Sequence, residues 1–374
     1  MRKRIRNFFL THVPILIKAH LLHKVPLFYP FLEIKPSSST IMITDRCNMR
    51  CRMCGQWQKP GRKELETGDW KRIIGDLKKN GIRNVHFTGG EPLLRADLAE
   101  LVSFSTKRGL TAGLTTNGIL LRDEALQRLI DSGLRSIAIS VDAVGDSYEV
   151  IRGVAGSFVK IKEALSLVSG MRKNKTIDAY MHFTLMKGNL DKLKSVKALA
   201  DEYGLPLGIC LLDKSSSIFA LEKNKREFWI TEDEDFERLE NILEFLKYEK
   251  IKSPGSLLIN FPAIEFIKEY FKSPRQAHIP CISSQERVII DPYGNLLGGC
   301  MSMGSFGNIN VRPFGGIKKE KKYRVAKKNM FYKKCDGCSC GYFLNIRWFA
   351  PLIFKDFLQR IGRFELTGRK KQNV

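Results

Sequence analysis

The amino-acid sequence predicts an α/β protein built on a parallel sheet. Three observations support this fold class. Six strand-then-helix units follow one another between residues 39 and 250, the first helix carries its apolar residues on one face, and polar motifs come directly after strands. Alternating strands and helices form a parallel sheet with right-handed crossovers. Because parallel strands end at one edge of the sheet, the motifs that follow them are expected to meet there.

Apolar periodicity and helix-ending residues place the elements. Thr67 is the predicted N-cap of the first helix, and Gly81 ends it. The predicted strands are residues 39–44, 85–88, 110–115, 136–141, 177–185 and 205–211, and the later helices are residues 97–108, 123–132, 158–171, 191–203 and 232–250. Residues 213–226 read as a loop near the substrate, and the Pro-punctuated residues 251–280 read as a bridge.

Three cysteines follow the first predicted strand: Cys47, Cys51 and Cys54. Three thiolates within such a short loop can converge on one iron–sulfur cluster. A cubane cluster has four irons, so three protein ligands leave one iron open to a cofactor or substrate. Zinc, or chance, is the alternative for this triplet taken alone.

Further polar motifs follow later strands. Gly89-Gly90-Glu91-Pro92 comes after the second strand, and its glycines permit close backbone approach and unusual dihedrals. The remaining candidate binding residues, which follow the third, fourth and fifth strands, are Asn117, Ser140, Asp142, Arg152 and Asn189.

The C-x3-C-x2-C spacing, followed by these motifs in this order, resembles the radical S-adenosylmethionine (radical SAM) enzymes over roughly residues 38–212. The resemblance implies an open partial (β/α)6 TIM barrel with a [4Fe–4S] cluster on Cys47, Cys51 and Cys54. It also implies reductive cleavage of S-adenosylmethionine to a 5′-deoxyadenosyl radical, which abstracts hydrogen from the substrate. The residues that it implies in cofactor binding are Gly89, Gly90, Glu91, Pro92, Asn117, Ser140, Asp142, Arg152 and Asn189. One departure is Met53, where the family usually has an aromatic residue.

A second cysteine group lies in the last quarter of the chain: Cys281, Cys300, Cys335, Cys338 and Cys340. Residues 288–300 read as a hairpin that turns at Pro292-Tyr293-Gly294. This arrangement resembles the SPASM or twitch auxiliary-cluster domain of radical SAM enzymes. It implies a second, auxiliary [4Fe–4S] cluster on Cys281, Cys300, Cys335 and Cys338, with Cys340 as a spare or in place of Cys338. Tetrahedral zinc is the alternative, and Cys210 is expected to be a buried apolar residue.

Charge and composition suggest where the protein works. The net charge is +24, concentrated in residues 1–34, 318–334 and 341–374, which indicates an anionic partner. Nucleic acid is not excluded as that partner. Residues 1–34 form a basic, aromatic-rich segment that suits a membrane interface, or alternatively packs on its own domain. Nine cysteines without a signal peptide indicate the cytoplasm, with peripheral contact to the inner face of the membrane as an option.

The predicted organisation has four parts: the N-terminal segment 1–34, a radical SAM core 35–250, an auxiliary-cluster domain 251–345 and a basic tail 346–374. The main predicted function is a radical SAM oxidoreductase acting on a small or lipid-linked anionic substrate, with a reductase such as flavodoxin or ferredoxin as electron donor. The alternatives are a peptide-modifying enzyme, a nucleotide- or RNA-modifying enzyme and a non-enzymatic iron–sulfur sensor. No motif identifies a catalytic acid or base.

Overall fold

Seven parallel strands form the central sheet of the protein. The computed structural model describes residues 34–59, 61–213, 227–274, 281–301 and 304–332, together with Leu21 and Cys338. The strands are β1 (Ser38–Met42), β2 (Asn84–Thr88), β3 (Thr111–Thr116), β4 (Leu134–Ser140), β5 (Asp178–Leu185), β6 (Leu207–Leu211) and β7 (Arg287–Ile290). Their order in the sheet is β6-β5-β4-β3-β2-β1-β7, and every neighbouring pair is parallel. The sheet curls into a partial barrel, which confirms the predicted fold class.

The seventh strand differs from the six-stranded expectation. β7 comes from the predicted hairpin and pairs in parallel with β1, where Val288 lies opposite Ser39. The predicted turn is present as well, because Ile290 forms an antiparallel bridge to Leu296. One short segment therefore serves both as the first arm of the hairpin and as the edge strand of the barrel.

Helices connect the strands and cover the convex side of the sheet. They are α1 (Thr67–Lys79), α2 (Leu98–Lys107), α3 (Asp123–Asp131), α4 (Asp146–Arg152), α5 (Ser157–Lys173), α6 (Leu193–Glu202), α7 (Asp233–Lys252), α8 (Phe261–Lys272), α9 (Ser283–Glu286), α10 (Phe314–Ile317) and α11 (Lys321–Phe331). The apolar face predicted for α1 is correct, because Trp70, Ile73, Ile74 and Leu77 are all buried. Each such side chain contributes about 1.5–3 kcal/mol by leaving water.

Three details of the helices correct the sequence analysis. Glu66, not Thr67, is the N-cap of α1, and its backbone N–H donates to the Asp69 carboxylate at 3.1 Å. The Thr67 hydroxyl instead donates to the Asp97 carboxylate at 2.6 Å. Helix α4 was not predicted. Helix α8 lies inside the supposed bridge. There the Asn260 side chain accepts a hydrogen bond from the backbone N–H of Ala263 at 3.0 Å, and Pro262 occupies the first turn, where its missing N–H costs nothing.

Some of the predicted features lie outside the described residues. These are the N-terminal segment apart from Leu21 and Ile34, the basic tail, most of the loop after residue 213, and the candidate ligands Cys335 and Cys340. Within the described part of the chain, no helix combines the length and the hydropathy needed to cross a bilayer.

The concave side of the sheet is lined by polar side chains. His86 on β2 and His182 on β5 point to this side, alternating with fully buried residues such as Phe87 and Phe183 that face the helices. Both histidines keep some accessible surface. Burial lowers the pKa of His86 to about 4, and the positive charges of His182 and Arg287 act in the same direction. Burial also lowers the pKa of His182.

The depressed pKa of His86 makes the stability of the protein depend on pH. Between pH 6.5 and 4 the unfolded histidine binds a proton that the folded one does not, so stability falls as the pH falls. From pH 7 to pH 5 this histidine should lower the free energy of unfolding by about 2 kcal/mol at most. Urea unfolding of the wild type and of His86→Leu at both pH values measures the difference. Equal pH dependence in the two proteins would show that the environment of His86 is wrongly described.

Candidate active site at the carboxyl ends of the strands

The cysteine loop, defined as residues 44–54, begins where β1 ends. Backbone hydrogen bonds fix it to the segment that follows β2. The N–H of Gly90 donates to the carbonyl of Thr44 at 2.7 Å, and the N–H of Glu91 donates to the carbonyl of Arg46 at 2.8 Å. The two motifs predicted from separate parts of the sequence are therefore in direct contact.

Glycine is required at these contacts. A Cβ atom on Gly90 would overlap the carbonyl of Arg46 and lie 2.7 Å from the carbonyl oxygen of Asp45. A Cβ on Gly89 would overlap the carbonyl of Thr44, and the φ of +144° at Gly89 is rare for other residues. The Gly-Gly pair thus lets two backbone segments approach more closely than side chains permit.

The carboxylate of Glu91 is fully buried and joins the ends of β2 and β3. One oxygen accepts hydrogen bonds from the hydroxyl of Thr116 at 2.7 Å and the N–H of Leu93 at 3.0 Å, and the other accepts from the N–H of Asn117 at 2.7 Å. Burial raises the pKa of Glu91, while these hydrogen bonds oppose that rise. Pro92 begins the buried turn that follows.

Two further elements hold the cysteine loop from the opposite side. The side-chain amide of Asn117 donates to the side-chain oxygen of Asn48 at 2.7 Å. The end of α4 accepts two backbone hydrogen bonds from the loop: Arg50 N–H to the carbonyl of Arg152, and Arg52 N–H to the carbonyl of Ile151, both at 3.0 Å. The loop is therefore fixed by the segments that follow β2, β3 and β4.

A buried ion pair lies beside the central cysteine. The guanidinium of Arg152 is 2.6 Å from the carboxylate of Asp142, and both residues are buried. The same guanidinium is 3.7 Å from the sulfur of Cys51. Asp142 also accepts a hydrogen bond from the N–H of Thr184 at 2.8 Å, which ties the pair to β5.

The three loop cysteines are enclosed by the protein: Cys51 is buried, and Cys47 and Cys54 are partly exposed. Three sulfur donors are a ligand set used by iron–sulfur clusters and by zinc. Within the described residues, no group of three Cys, His, Asp or Glu side chains is arranged to hold one metal ion. Burial, followed by the neighbouring cysteines, raises the pKa of Cys54 to about 11, and metal ligation requires that this thiol lose its proton.

Buried donors around Cys51 also fit an anionic, sulfur-ligated group. The Arg152 Nε and the Tyr148 hydroxyl are buried and make no hydrogen bond within the described residues. The guanidinium of Arg152 reaches Cys51 and also lies 5.7 Å from the centre of the Tyr148 ring. Hydrogen bonds to cluster sulfurs are one means by which a protein adjusts a cluster.

The other two candidates differ in their surroundings. Ser140 ends β4 on the concave side of the sheet and is partly exposed. Asn189 is buried, and its side chain makes three hydrogen bonds inside the turn after β5: to the carbonyl of Thr184 at 2.9 Å, to the carbonyl of Asp142 at 3.2 Å and from the N–H of Met186 at 2.9 Å. Ser140 is therefore available to a ligand, whereas Asn189 is used to shape the turn.

Sequence reasoning missed several residues of this site. Asn48, Thr116 and Tyr148 each contact or adjoin a predicted residue, as described above. Thr116 directly precedes Asn117, and Asn48 directly follows Cys47, so their position beside predicted residues could have identified them. Tyr148 was missed because it lies on α4, a helix that was not predicted.

The second cysteine group is partly described, and its segments converge. The N–H of Cys281 donates to the carbonyl of Phe331, the last residue of α11, at 2.8 Å. The Ser284 hydroxyl donates to the carbonyl of Cys281 at 2.7 Å, and the backbone of Gly299 packs directly on Ser284. The segments that carry Cys281 and Cys300 thus lie together, beside the end of α11.

The hairpin after β7 also contacts the cysteine loop. The hydroxyl of Tyr293 donates to the carboxylate of Asp45 at 2.9 Å, and the carbonyl of Pro292 accepts from the N–H of Leu65 at 2.9 Å. Burial, followed by this hydrogen bond, raises the pKa of Tyr293 to about 12. The hairpin that leads to Cys300 is thus linked to the cysteine loop by a direct hydrogen bond.

Comparison with known proteins agrees with this geometry. Residues 41–192 match the family model described as "Radical SAM superfamily". The chain is 33% identical over 168 residues to a PqqA peptide cyclase of Rhodopseudomonas palustris, covering 44% of each protein. It is 30% identical over 166 residues to an Fe-coproporphyrin III synthase of Methanosarcina barkeri, covering 44% of this chain and 41% of the relative. The matched region thus spans less than half the length of these relatives.

A solved structure shares the fold. SuiB of Streptococcus suis, crystallised with S-adenosylmethionine, superposes with a TM-score of 0.64 at 14% identity, covering 85% of this chain and 79% of SuiB. SuiB has also been crystallised with its precursor peptide SuiA. The fold and the cysteine loop define a radical SAM enzyme domain. Within this chain, residues 41–192 carry such a domain.

The close contact at Gly90 can be tested by adding one methyl group. Gly90→Ala should lower the free energy of unfolding by about 1–3 kcal/mol, because the new Cβ forces apart the backbones of two segments. Gly75→Ala is the matched control: this glycine lies in α1 with open space around its Cβ, so alanine should stabilise by about 0.8–1 kcal/mol. Urea denaturation measures both. A neutral Gly90→Ala would contradict the described contact.

Proposed function

We propose that the protein is a radical SAM enzyme that cleaves S-adenosylmethionine at a [4Fe–4S] cluster on Cys47, Cys51 and Cys54 and abstracts hydrogen from a substrate. The observation that carries this proposal is the cysteine loop itself. Its backbone is fixed by segments from three neighbouring strands, beside the Arg152–Asp142 ion pair. The radical SAM domain match over residues 41–192 supports it independently.

Each residue of the site has a role in this proposal. When bound, the cluster and S-adenosylmethionine supply the reductive cleavage that generates the 5′-deoxyadenosyl radical. The three cysteines would hold three of the irons. Gly89 and Gly90 are partly exposed, so their backbone polar groups would be available to the methionine amino group. Ser140, which is also partly exposed, would contact the ribose. The enclosed carboxylate of Glu91 mainly fixes the strand ends that present these groups.

The Arg152–Asp142 pair orients the cofactor and the loop at the same time. Arg152 holds Cys51 through its guanidinium and Arg50 through its carbonyl, so its position is set by the loop. Asn117 is similarly shared between Asn48 and the Glu91 carboxylate. A shift of the loop would therefore misplace the cofactor contacts, which is how the protein couples cluster binding to cofactor binding.

Replacing one loop cysteine tests the cluster assignment. Cys51→Ala removes one of three iron ligands and should abolish 5′-deoxyadenosine formation by reconstituted protein under anaerobic, reducing conditions. Cys210→Ala is the control, because Cys210 lies in β6, away from the loop, and should leave the activity unchanged. High-performance liquid chromatography of the product measures both. Full activity of Cys51→Ala would end the cluster assignment.

We further propose that the second cysteine group holds an auxiliary [4Fe–4S] cluster. Its ligands are Cys281, Cys300, Cys335 and Cys338. Cys340 is the alternative to Cys338 as a ligand. The convergence of the Cys281 and Cys300 segments with the end of α11 supports this proposal. An auxiliary cluster beside the barrel can accept an electron from a substrate radical, which favours oxidation as the overall reaction.

Metal analysis separates this cluster from zinc. Reconstituted wild type should contain about eight irons per chain, four for each cubane. A variant with Cys47, Cys51 and Cys54 all replaced by Ala should retain about four. Inductively coupled plasma mass spectrometry measures iron and zinc together. One zinc and no iron in the triple variant would assign the second site to tetrahedral zinc instead.

The substrate that we propose is a peptide. The peptide cyclase among the relatives, and the precursor peptide bound by SuiB, support this choice over the lipid-linked substrate predicted from charge. A small or lipid-linked anionic substrate is the second candidate. It is favoured by the exposed cations of α11, where Lys321, Lys322, Arg324 and Lys328 surround the exposed Val325. Three further expectations remain predictions: membrane contact by residues 1–34, an electron-donating reductase and a nucleic-acid partner.

A substrate panel distinguishes the two candidates. The true substrate class should raise 5′-deoxyadenosine formation above the substrate-free rate. Hydrogen abstraction from the substrate consumes the radical and therefore favours cleavage of S-adenosylmethionine. Short acidic peptides form one arm of the panel, and polyprenyl phosphates in detergent form the other. Stimulation by the peptides alone supports the proposal. Stimulation by the polyprenyl phosphates alone would replace the peptide with the lipid-linked substrate.

A further inference from the structure

The segment from residue 311 to residue 328 presents a strongly basic surface. It holds eight Lys and Arg residues against one Glu, and that residue, Glu320, pairs with Arg312 at 2.5 Å. Four further cations are exposed and pair with no carboxylate of the described residues: Lys319, Lys321, Lys322 and Arg324. Exposed like charges repel one another, so a surface of this kind is stabilised by an anionic partner.

Two apolar side chains are exposed on the same segment. Val311 is 79% exposed and Val325, which follows Arg324 on α11, is 48% exposed. By contrast, the rings of Phe314 and Tyr323 are buried and pack edge to face against each other. The surface therefore offers cations and small apolar groups, but no exposed aromatic ring.

Helix α11 is held to the rest of the fold through its opposite face. The ammonium of Lys327 is buried there and donates to the carbonyl of Ile34 at 3.4 Å and to the carbonyl of Gln285 at 3.2 Å. Ile34 leads into β1, and Gln285 leads into β7. The helix thus lies at the amino ends of these strands, with its exposed cations turned away from the sheet.

Two more cations are exposed at the same end of the sheet. Lys35 directly follows Ile34, and Arg83, which precedes β2, donates its backbone N–H to the carbonyl of Ser37 at 2.8 Å. We call the exposed side chains of residues 311–328, together with Lys35 and Arg83, the basic face. Because the cysteine loop follows the carboxyl end of β1, the basic face and the candidate active site lie at opposite ends of the strands.

The two basic ends of the chain do not complement the basic face. Residues 1–33 hold six Lys and Arg residues against one Glu, and residues 346–374 hold seven against two acidic residues. A second copy of the protein carries the same net charge of +24. Charge complementarity therefore points to an anionic partner from outside the protein.

A membrane surface with anionic lipids fits the basic face best. Its phosphates are spread over a plane, so they can meet cations that come from separate segments of the chain, and its headgroup layer admits small apolar side chains. Single-stranded nucleic acid is bound through cations together with aromatic rings on which the bases stack. The basic face has the cations, but among residues 311–328 it has no exposed ring.

We propose that the basic face docks the protein on a membrane surface that contains anionic lipids. Lys321, Lys322 and Arg324 meet lipid phosphates, and Val325 enters the headgroup layer between them. This contact is additional to the one predicted for residues 1–34, which join the fold at the same end. It does not rest on the proposed function. It leaves the cysteine loop on the aqueous side, where a water-soluble substrate can reach it.

Vesicle sedimentation of the full-length, reconstituted protein tests the proposal. The wild type should bind vesicles of phosphatidylcholine mixed with phosphatidylglycerol at least about tenfold more tightly than vesicles of phosphatidylcholine alone, and added salt should weaken the binding. The triple variant Lys321→Gln, Lys322→Gln, Arg324→Gln should bind the mixed vesicles at least about tenfold more weakly, because each cation near such a surface contributes about fivefold. Equal affinity of this variant and the wild type, or wild-type binding that salt does not weaken, would overturn the proposal.

A matched variant controls for net charge. The triple variant Lys160→Gln, Lys162→Gln, Lys194→Gln also lowers the net charge from +24 to +21. These exposed lysines lie near the starts of α5 and α6, beyond the carboxyl ends of β4 and β5. This variant should bind the mixed vesicles like the wild type. Equal weakening in both triple variants would show that only net charge matters, and would overturn the proposal.

Two further variants separate charge from apolar contact. The charge-preserving variant Lys321→Arg, Lys322→Arg, Arg324→Lys should bind like the wild type, and a loss of its vesicle affinity would overturn the proposal. Val325→Ser should lower the affinity measured at high salt by about threefold, since charges are then screened and apolar burial is what remains. An unchanged affinity would overturn the insertion of this side chain.

Fluorescence anisotropy with a labelled single-stranded RNA tests the alternative partner on the same proteins. The RNA should bind the wild type and the Lys321, Lys322 and Arg324 triple variant with similar affinity. If the wild type binds the RNA but not the mixed vesicles, and this triple variant loses the RNA, the basic face is a nucleic-acid surface and the membrane proposal fails.

Discussion

The buried carboxylate of Glu91 is the interaction on which the rest of the site depends. It ties the turn after β2 to the residues after β3, and the glycines immediately before it carry the cysteine loop. A carboxylate enclosed by protein is costly, and three hydrogen bonds offset that cost. Removal of this carboxylate would release two strand ends and the loop together. Cofactor affinity and loop geometry are therefore expected to change together.

The cysteine loop has almost no regular structure of its own, and its shape comes from its neighbours. Backbone groups after β2, the side chain of Asn117 after β3 and the carbonyls at the end of α4 each hold a different part of it. The hairpin after β7 adds Tyr293 against Asp45. Rigid scaffolds that position a short functional loop in this way are common in α/β proteins.

Much of this arrangement could be predicted from the sequence. The strand-then-helix alternation predicts the sheet, and the motifs after each strand predict which ends meet, because parallel strands all end at one edge. The cysteine spacing and the Gly-Gly-Glu-Pro run identify the residues that converge. Helix α1 was placed correctly from its apolar face, since Trp70 and its neighbours repeat with the period of a helix.

The remainder depended on contacts between residues far apart in the chain. Helix α4 is short, and Gly145 and Gly153 bound it closely, so it has too few apolar positions for a periodic signal. Helix α8 was not predicted because a proline usually marks the end of a helix. The sequence alone does not show that Pro262 lies in the first turn, where proline is tolerated. The histidines of the barrel interior looked like ordinary strand residues. Only the sheet, in which both lie on the concave side, relates them to each other.

The pairing of β7 with β1 has a consequence for how the chain matures. β1 ends at Met42, and its partner on the outer edge begins at Arg287, so this edge of the sheet lacks its neighbour until most of the protein has been synthesised. At ribosomal speeds that interval is on the order of ten seconds or more, during which an unpaired strand edge is open to other chains. The contacts that the segments after β2, β3 and β4 make with the cysteine loop are complete by residue 153, whereas the hydrogen bond from Tyr293 forms later. Most of the loop can thus take its shape well before translation supplies the strand that closes the sheet.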